Sequence, residues 1–161
     1  MSTKSKSHMR STIGLDMLVK DVMTTNVITV KKFESVLAVA DILASRNISG
    51  IPVVDKQGKV IGIITQADIL SSVGIRKDRT FKDLLKHMLG EPLLERKMGD
   101  IVGDVMTSPA LTTTPETNIA EVVQTMDEKK IRRLVVVDEQ NTLVGIISRA
   151  DILKAVLRLL K

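Results

Sequence analysis

One phrase of seven residues occurs twice in this chain, and the repetition limits what the chain can fold into. GIITQAD, at residues 62–68, returns as GIISRAD at residues 145–151. The flanking sequence repeats with it and without a gap. The further aligned segments are residues 19–30 with 102–113 and residues 51–70 with 134–153. Chance does not keep register over such a span, so the chain is a tandem repeat of one structural unit.

Each copy predicts the same order of secondary structure. A short strand, near residues 27–30 or 110–113, leads into an amphipathic helix. Two β-rich runs joined by a polar turn follow, and a second helix begins near Gln66 or Arg149. The β-rich runs of the first copy are residues 51–54 and 60–64, and the turns are residues 55–59 and 138–142. The apolar residues at helical spacing are Val36, Leu37, Ala40 and Leu43 in the first copy and Ile119, Val122, Val123 and Met126 in the second. Each copy therefore reads as β-α-β-β-α.

This order of elements predicts an α/β fold class built from two copies of one motif. A single copy of roughly 60 residues is marginal alone, so the two copies are predicted to pack as a pseudo-twofold pair. The predicted boundaries are a disordered tail over residues 1–12, the first motif over 13–75, a connector over 76–100 with a helix near residues 81–89, and the second motif over 101–161.

The charge and the aromatic content argue against a nucleic-acid-binding protein. The formal net charge is +5, but Lys4, Lys6 and Arg10 of the tail supply much of it. The chain has no tryptophan or tyrosine, and Phe33 and Phe81 alone are too few to form a base-stacking platform. Nucleic acid is therefore an unlikely partner.

The residue types that carry most enzyme chemistry are scarce. Cysteine is absent, and the two histidines, His8 and His87, fall in the tail and the connector, away from any acidic cluster at metal-ligand spacing. Asp68 and Asp151 occupy equivalent points of two separate copies, so they are not predicted to act on one bond. No P-loop or dinucleotide motif is present. The sequence predicts a protein that is not an enzyme, has no membrane span and resides in the cytoplasm.

The repeated phrase itself has two interpretations. Thr65 with Asp68, and Ser148 with Asp151, match the helix capping box, in which a hydroxyl and an acid satisfy free backbone N–H groups. The same pair also suits a ribose phosphate, because the carboxylate accepts hydrogen bonds from a cis-diol. The glycine before each pair, Gly62 or Gly145, either lets a ligand approach the backbone closely or marks a bulge.

The order of the motifs identifies a family resemblance. DVMT at residues 21–24 and 104–107, then a strand ending in VVD, then G-I-I-(T/S)-x-A-D-I-L, in two copies, resembles a tandem pair of CBS domains, called a Bateman module. The resemblance runs from Val19 to Leu153 and leaves out the connector. It implies an α/β module with two clefts between its halves, dimers that stack into a disc, and binding of AMP, ADP, ATP or S-adenosylmethionine without a required cofactor.

The resemblance also assigns roles to individual residues. Asp68 and Asp151 match the ribose-binding acid of the family, and Thr65 and Ser148 match the hydroxyl that contacts ribose or phosphate. Backbone groups at the entry of a strand recognise the adenine edge; the matching residues are Ser49, Gly50 and Ile51 in one copy and Arg132, Arg133 and Leu134 in the other. Thr114 stands where the family often has a threonine lining the pocket, and Lys31 occupies that place in the first copy. Val135 replaces the proline that the first copy has at Pro52.

The two copies differ most at Ser49-Gly50 and Arg132-Arg133. One of the two adjacent arginines is expected to hold a phosphate, or both form a solvated basic strand end. Without tryptophan or tyrosine, an adenine would lie among aliphatic side chains. The candidates are Val27, Ile28, Val36, Ile51 and Ile63 in one copy and Leu111, Ile119, Leu134 and Ile146 in the other.

The sequence therefore favours a regulatory module that senses an adenosine-containing ligand, works as a homodimer and controls a separate protein. The alternative is a scaffold or protein-interaction module whose capping boxes are purely structural and which has no small-molecule control.

Overall fold

A computed structural model of the protein describes residues 16–73 and 101–161. The predicted tail and the predicted connector helix near residues 81–89 lie outside these residues. The helices and strands, in chain order, are α1 (Val19–Val22), α2 (Val36–Arg46), β1 (Gly50–Val54), β2 (Val60–Thr65), α3 (Gln66–Ser72), α4 (Val102–Val105), β3 (Thr112–Thr113), α5 (Ile119–Lys129), β4 (Arg133–Val137), β5 (Leu143–Ser148) and α6 (Arg149–Leu160).

The two β-rich runs of each copy form an antiparallel pair, as the sequence predicts. β1 pairs with β2, and β4 pairs with β5, with the same irregularity of register near the turn in both. The predicted strand ahead of the first helix is shorter than expected. It forms the two-residue β3, parallel to β4, in the second copy. In the first copy the prediction of a strand is wrong, because only Val30 pairs with β1 before the chain turns at Lys32.

The polar turns between these strands are held by one aspartate each. Oδ1 of Asp55 accepts hydrogen bonds from the backbone N–H groups of Gln57 and Lys59, both at 2.9 Å. Asp138 does the same for Gln140 and Thr142 in the second copy. This local bonding is what makes aspartate a strong turn residue, and it confirms the predicted turns.

Helices α2 and α5, the amphipathic helices that the sequence predicts, bury a narrower face than expected. α2 buries Val36, Val39 and Leu43, and α5 buries Ile119, Val122 and Met126. Leu37 and Val123 were predicted on the buried face, but their side chains are 55% and 46% exposed. The buried face of a helix recurs at steps of three and four residues. From Val36 these steps lead to Val39 and Leu43, so Leu37 lies outside the buried face.

The chain forms two compact units whose limits differ from those of the sequence repeats. The central unit consists of the described residues of Ile28–Ala110, and the terminal unit consists of the described residues up to Val27 together with Leu111–Lys161. Each unit therefore combines the antiparallel strand pair of one repeat and its two flanking helices with the DVMT segment of the other repeat. Val102 of α4 lies in the core of the central unit, and Val19 of α1 lies in the core of the terminal unit.

Two backbone hydrogen bonds fix each DVMT segment to its unit. In the central unit the N–H of Thr107 donates to the carbonyl of Ile63 at 2.8 Å, and the N–H of Ile63 donates back at 3.0 Å. Thr24 and Ile146 make the same reciprocal pair in the terminal unit, at 2.8 and 2.9 Å. The DVMT motif is thus paired, through its threonine, with the strand of the repeated phrase.

This pairing explains the glycine of the phrase. A Cβ atom at Gly62 would lie 2.8 Å from both Sδ of Met106 and the carbonyl oxygen of Thr107. At Gly145 the same atom would meet Met23 and Thr24 at 2.8 and 2.9 Å. Glycine is therefore required by the close approach of the chain itself. The predicted bulge is also present, since the strand register shifts next to Gly62 and next to Gly145.

Candidate functional site

The Asp68 site is built where β2 passes into α3. The hydroxyl of Thr65 accepts a hydrogen bond from the backbone N–H of Asp68 at 3.1 Å, so it caps the helix. Oδ2 of Asp68 in turn accepts from the backbone N–H of Thr65 at 2.9 Å and from its hydroxyl at 3.0 Å. The predicted capping box is therefore confirmed, and both side chains are half-buried with a face toward solvent.

The Asp151 site repeats this arrangement where β5 passes into α6. The hydroxyl of Ser148 accepts from the backbone N–H of Asp151 at 3.1 Å. Oδ2 of Asp151 accepts from the backbone N–H of Ser148 at 3.0 Å. Both side chains are again half-buried. Each compact unit thus presents one hydroxyl–carboxylate pair at the N-terminus of a helix, where the dipole favours negative charge.

The strand register places one of the two arginines beside the Asp151 site. Arg133 is the Cα partner of Ser148 in the β4–β5 pair, and residues directly opposite one another project from the same face of a sheet. Gly50 faces Thr65 in the same way in the central unit. Arg132 is exposed and precedes the strand. The Asp151 site therefore has an arginine at the strand position where the Asp68 site has a glycine.

The backbone at the strand entry is tied to the start of the following helix. The carbonyl of Ser49 accepts from the N–H of Gln66, and the carbonyl of Arg132 accepts from the N–H of Arg149, both at 2.9 Å. These bonds hold the strand entry next to the hydroxyl–carboxylate pair in both units. A carbonyl oxygen has two lone pairs, so one such bond does not by itself prevent a second one.

The described residues contain neither a metal-binding cluster nor a membrane span. Across residues 16–73 and 101–161, no three histidine or acidic side chains converge closely enough to hold a metal ion. No helix in the same residues is both long and apolar enough to cross a bilayer.

The repeated arrangement is that of a known family. The CBS domain family matches residues 19–75 and again residues 102–158. The chain belongs to the CBS domain family. The resemblance drawn from the DVMT and G-I-I-(T/S)-x-A-D motifs is thereby confirmed, together with the mixed α/β fold class.

Relatives of this CBS pair are known in sequence and in structure. An uncharacterized protein of Methanocaldococcus jannaschii, MJ1426, is 30% identical over 89% of this chain and 94% of its own length. The chloroplastic CBS domain-containing protein CBSX2 of Arabidopsis thaliana is 30% identical over 88% of this chain, which spans only 64% of that relative. A crystal structure of CBSX2 in complex with AMP matches 89% of this chain and 98% of that one, with a TM-score of 0.73 and 30% identity.

A second solved structure gives the same fold with other ligands. The CBS domain pair of protein MJ0100, in complex with 5′-methylthioadenosine and S-adenosyl-L-methionine, is 28% identical and has a TM-score of 0.66. The match covers 87% of this chain and 99% of the MJ0100 chain. Both structural neighbours are therefore CBS pairs that were crystallised with adenosine compounds.

Two residues that the resemblance assigned to the pocket are bonded elsewhere within their CBS repeats. The ammonium group of Lys31 donates to the carbonyl of Asp55 at 2.8 Å. The hydroxyl groups of Thr114 and Thr117 share a hydrogen bond of 2.8 Å. Both Lys31 and Thr114 are exposed. Their role toward a ligand stays a prediction.

The aliphatic candidates divide by burial. The side chains of Val36, Ile51, Ile119 and Leu134 belong to the hydrophobic cores, with at most 4% of their surface exposed. They are held away from any ligand, although backbone recognition at Ile51 and Leu134 is unaffected and stays a prediction. The side chains with accessible surface are those of Val27, Ile28, Ile63, Leu111 and Ile146.

Two residues near the sites were missed by sequence reasoning. The hydroxyl of Thr107 donates to Oδ1 of Asp68 at 2.9 Å. Arg149 donates from Nε to the carbonyl of Ile131 and from a terminal nitrogen to the carbonyl of Met126, both at 3.2 Å, and so caps the end of α5 with positive charge. Thr107 was visible as part of a repeated motif, but nothing in the sequence shows that a DVMT segment lies against the other repeat.

Proposed function

We propose that this CBS pair is a regulatory module that binds adenosine-containing ligands at the Asp68 and Asp151 sites and so senses a metabolite. The observation that carries the proposal is the same solvent-facing hydroxyl–carboxylate pair in each CBS repeat. Two CBS pairs of the same fold, crystallised with AMP and with S-adenosyl-L-methionine and 5′-methylthioadenosine, support the class of ligand.

The chemistry of the pair fits a nucleoside. A carboxylate at the end of a strand can accept hydrogen bonds from both hydroxyl groups of a ribose, as acidic residues do in dinucleotide-binding folds. The neighbouring hydroxyl and the helix N-terminus, where the dipole favours negative charge, suit a phosphate. A bare anion would be repelled by the aspartate, so a sugar phosphate is the better match.

Arg133 favours a phosphorylated ligand at the Asp151 site. It lies opposite Ser148 in the sheet, and a guanidinium forms strong, directional hydrogen bonds with phosphate oxygens. The Asp68 site has Gly50 in the equivalent position. We therefore propose that the two sites differ in preference, with the more highly charged ligand at Asp151.

The same residues argue for a regulator without catalytic activity of its own. The two carboxylates lie in different compact units, and each is engaged in capping a helix. A ligand bound there changes the protein by favouring whichever conformation it binds more tightly. The regulated protein is proposed to be a separate chain. A cytoplasmic location is proposed as well, and fractionation of cells would test it.

Calorimetric titration of the protein with adenosine, AMP, ATP and S-adenosylmethionine tests the proposal. We expect saturable binding, with AMP tighter than adenosine by about tenfold because Arg133 adds one charge-assisted hydrogen bond. Guanosine monophosphate, which carries the same sugar phosphate, serves as the control for base recognition. If none of the four adenosine compounds binds or raises the melting temperature, the protein is a scaffold whose capping boxes are only structural.

The exposed apolar side chains support the proposed homodimer. Val123 of α5 and Leu153 and Leu157 of α6 are between 46% and 60% exposed and lie on helices of one unit. A groove of about 470 Å³ is lined by residues of the same two helices. Leu37 of α2 and Leu70 of α3 are exposed in the other unit. A second copy of the chain is the occupant that we propose for these faces.

The dimer is tested by light scattering during size-exclusion chromatography. Leu153→Lys is expected to convert the dimer to a monomer, because it places a charge in an apolar contact. Leu111→Lys, at a similarly exposed leucine outside α5 and α6, is the control and should remain dimeric. A monomeric wild-type protein at micromolar concentration would contradict the proposal.

A further inference from the structure

The hydrogen bonds at the two aspartates are unequal. A carboxylate has about four lone-pair positions for hydrogen bonds. Three donors already reach Asp68: the backbone N–H of Thr65, its hydroxyl, and the hydroxyl of Thr107. A cis-diol needs two positions, so the Asp68 carboxylate as it stands has too few.

Asp151 is far less occupied. The backbone N–H of Ser148 reaches its Oδ2. In the part of the chain that the structure describes, no donor reaches Oδ1. Thr24, the counterpart of Thr107, makes its two backbone bonds with Ile146, but its hydroxyl forms no hydrogen bond within the same residues. A cis-diol can therefore bind Asp151 without displacing a protein group.

The Asp68 and Asp151 sites differ in the hydrogen bonding of one threonine side chain and not in the pairing of its backbone. Thr24 and Thr107 pair with β5 and β2 through equivalent reciprocal hydrogen bonds, with nitrogen–oxygen distances of 2.8 to 3.0 Å. Both threonines are exposed. Rotation of the Thr107 side chain about its first torsion would free Oδ1 of Asp68 and leave the backbone pairing intact. The hydroxyl of Thr65 is less free to leave, since it also caps α3.

We propose that Thr107 is a specificity-determining residue, whose hydroxyl competes with the ribose of the ligand for Asp68. The proposal rests on the proposed function, because it concerns the affinity of that same site. The Asp68 site then binds a nucleoside more weakly than its residue types suggest, since each binding event must break the Thr107 bond. The Thr107 bond must break when both hydroxyl groups of the ribose bind Asp68. A sugar with one hydroxyl in place of two therefore loses less affinity to this competition.

Calorimetry with adenosine and 2′-deoxyadenosine tests the competition. Asp151→Ala isolates the Asp68 site, and Thr107→Val in that background replaces the competing hydroxyl with a methyl group of the same shape. We expect adenosine to bind about three- to tenfold more tightly, the size of one exchanged hydrogen bond. The affinity for 2′-deoxyadenosine should change much less, and Thr107→Ser, which keeps the hydroxyl, should behave as the wild type.

Thr24→Val in an Asp68→Ala background is the matched control. Since no hydrogen bond joins the hydroxyl of Thr24 to Asp151 in the described residues, adenosine affinity at the Asp151 site should be unchanged. Unchanged or weaker adenosine binding in Thr107→Val, beside normal binding by the wild type, would overturn the role of Thr107 alone. Failure of adenosine to bind the wild-type protein would overturn the proposed function and this inference with it.

Discussion

Replacing Asp151 with alanine is expected to weaken AMP binding at its site by about 10- to 100-fold, because a charged hydrogen-bond acceptor of the ribose is lost. The Asp151 site is the better one to measure, since its Oδ2 receives a hydrogen bond from Ser148 and no donor among residues 16–73 and 101–161 reaches its Oδ1. Titration of AMP in an Asp68→Ala background reads this site alone.

The control for this prediction is Asp151→Glu. A glutamate at this helix position can serve a capping box as well as an aspartate does, so the stability of α6 should be kept. Its carboxylate lies one methylene further along the side chain, so it no longer meets a ribose that is also held at the strand entry. We expect Asp151→Glu to melt close to the wild-type temperature and to bind AMP nearly as poorly as Asp151→Ala.

The pair of variants separates the two interpretations of the repeated phrase. If Ser148 and Asp151 serve only to cap the helix, Asp151→Ala should lower the free energy of unfolding by about 1 kcal/mol, and neither variant should change any ligand affinity. Wild-type AMP affinity in Asp151→Glu, with loss in Asp151→Ala alone, would mean that the carboxylate acts through the helix cap and does not contact ribose.

The sequence predicted the elements of each repeat because their causes are local. The polar turns form around Asp55 and Asp138, and the second helices start at the caps Thr65 and Ser148, within a few residues of the groups that they bond. Such short-range chemistry is written in the order of the residues. The hydroxyl–carboxylate pairs could be placed for the same reason.

The partner of each DVMT segment could not be predicted, because the repeat is symmetric. Thr107 could equally have been expected beside the phrase of its own copy, yet it pairs with Ile63 of the first. The contact of Thr107 with Asp68 depends on this pairing with the other copy and on one side-chain rotamer. The exposed positions of Leu37 and Val123 escaped prediction for a related reason, since an apolar residue next to the buried stripe looks the same in sequence as one within it.

Gly62→Ala is expected to lower the free energy of unfolding by about 1–3 kcal/mol, the usual cost of overpacking a filled interior. The added Cβ would lie 2.8 Å from the carbonyl oxygen of Thr107, and this oxygen cannot move away without lengthening its hydrogen bond from Ile63. Thermal unfolding should show a melting temperature lower by about 2–12 °C for a chain of this size.

Gly103→Ala provides the matched control in the same docked segment. Its Cβ would lie 3.3 Å from the carbonyl oxygen of Lys32, a tight contact that a shift of a few tenths of an ångström relieves, whereas the 2.8 Å contacts at Gly62 require a larger one. We expect its melting temperature to fall by less than that of Gly62→Ala. An unchanged melting temperature in Gly62→Ala would show that the DVMT segment is not held against β2 in solution. Thr107 would then not be positioned to reach Asp68, so the stability of this one variant also bears on the unequal affinities proposed for the two sites.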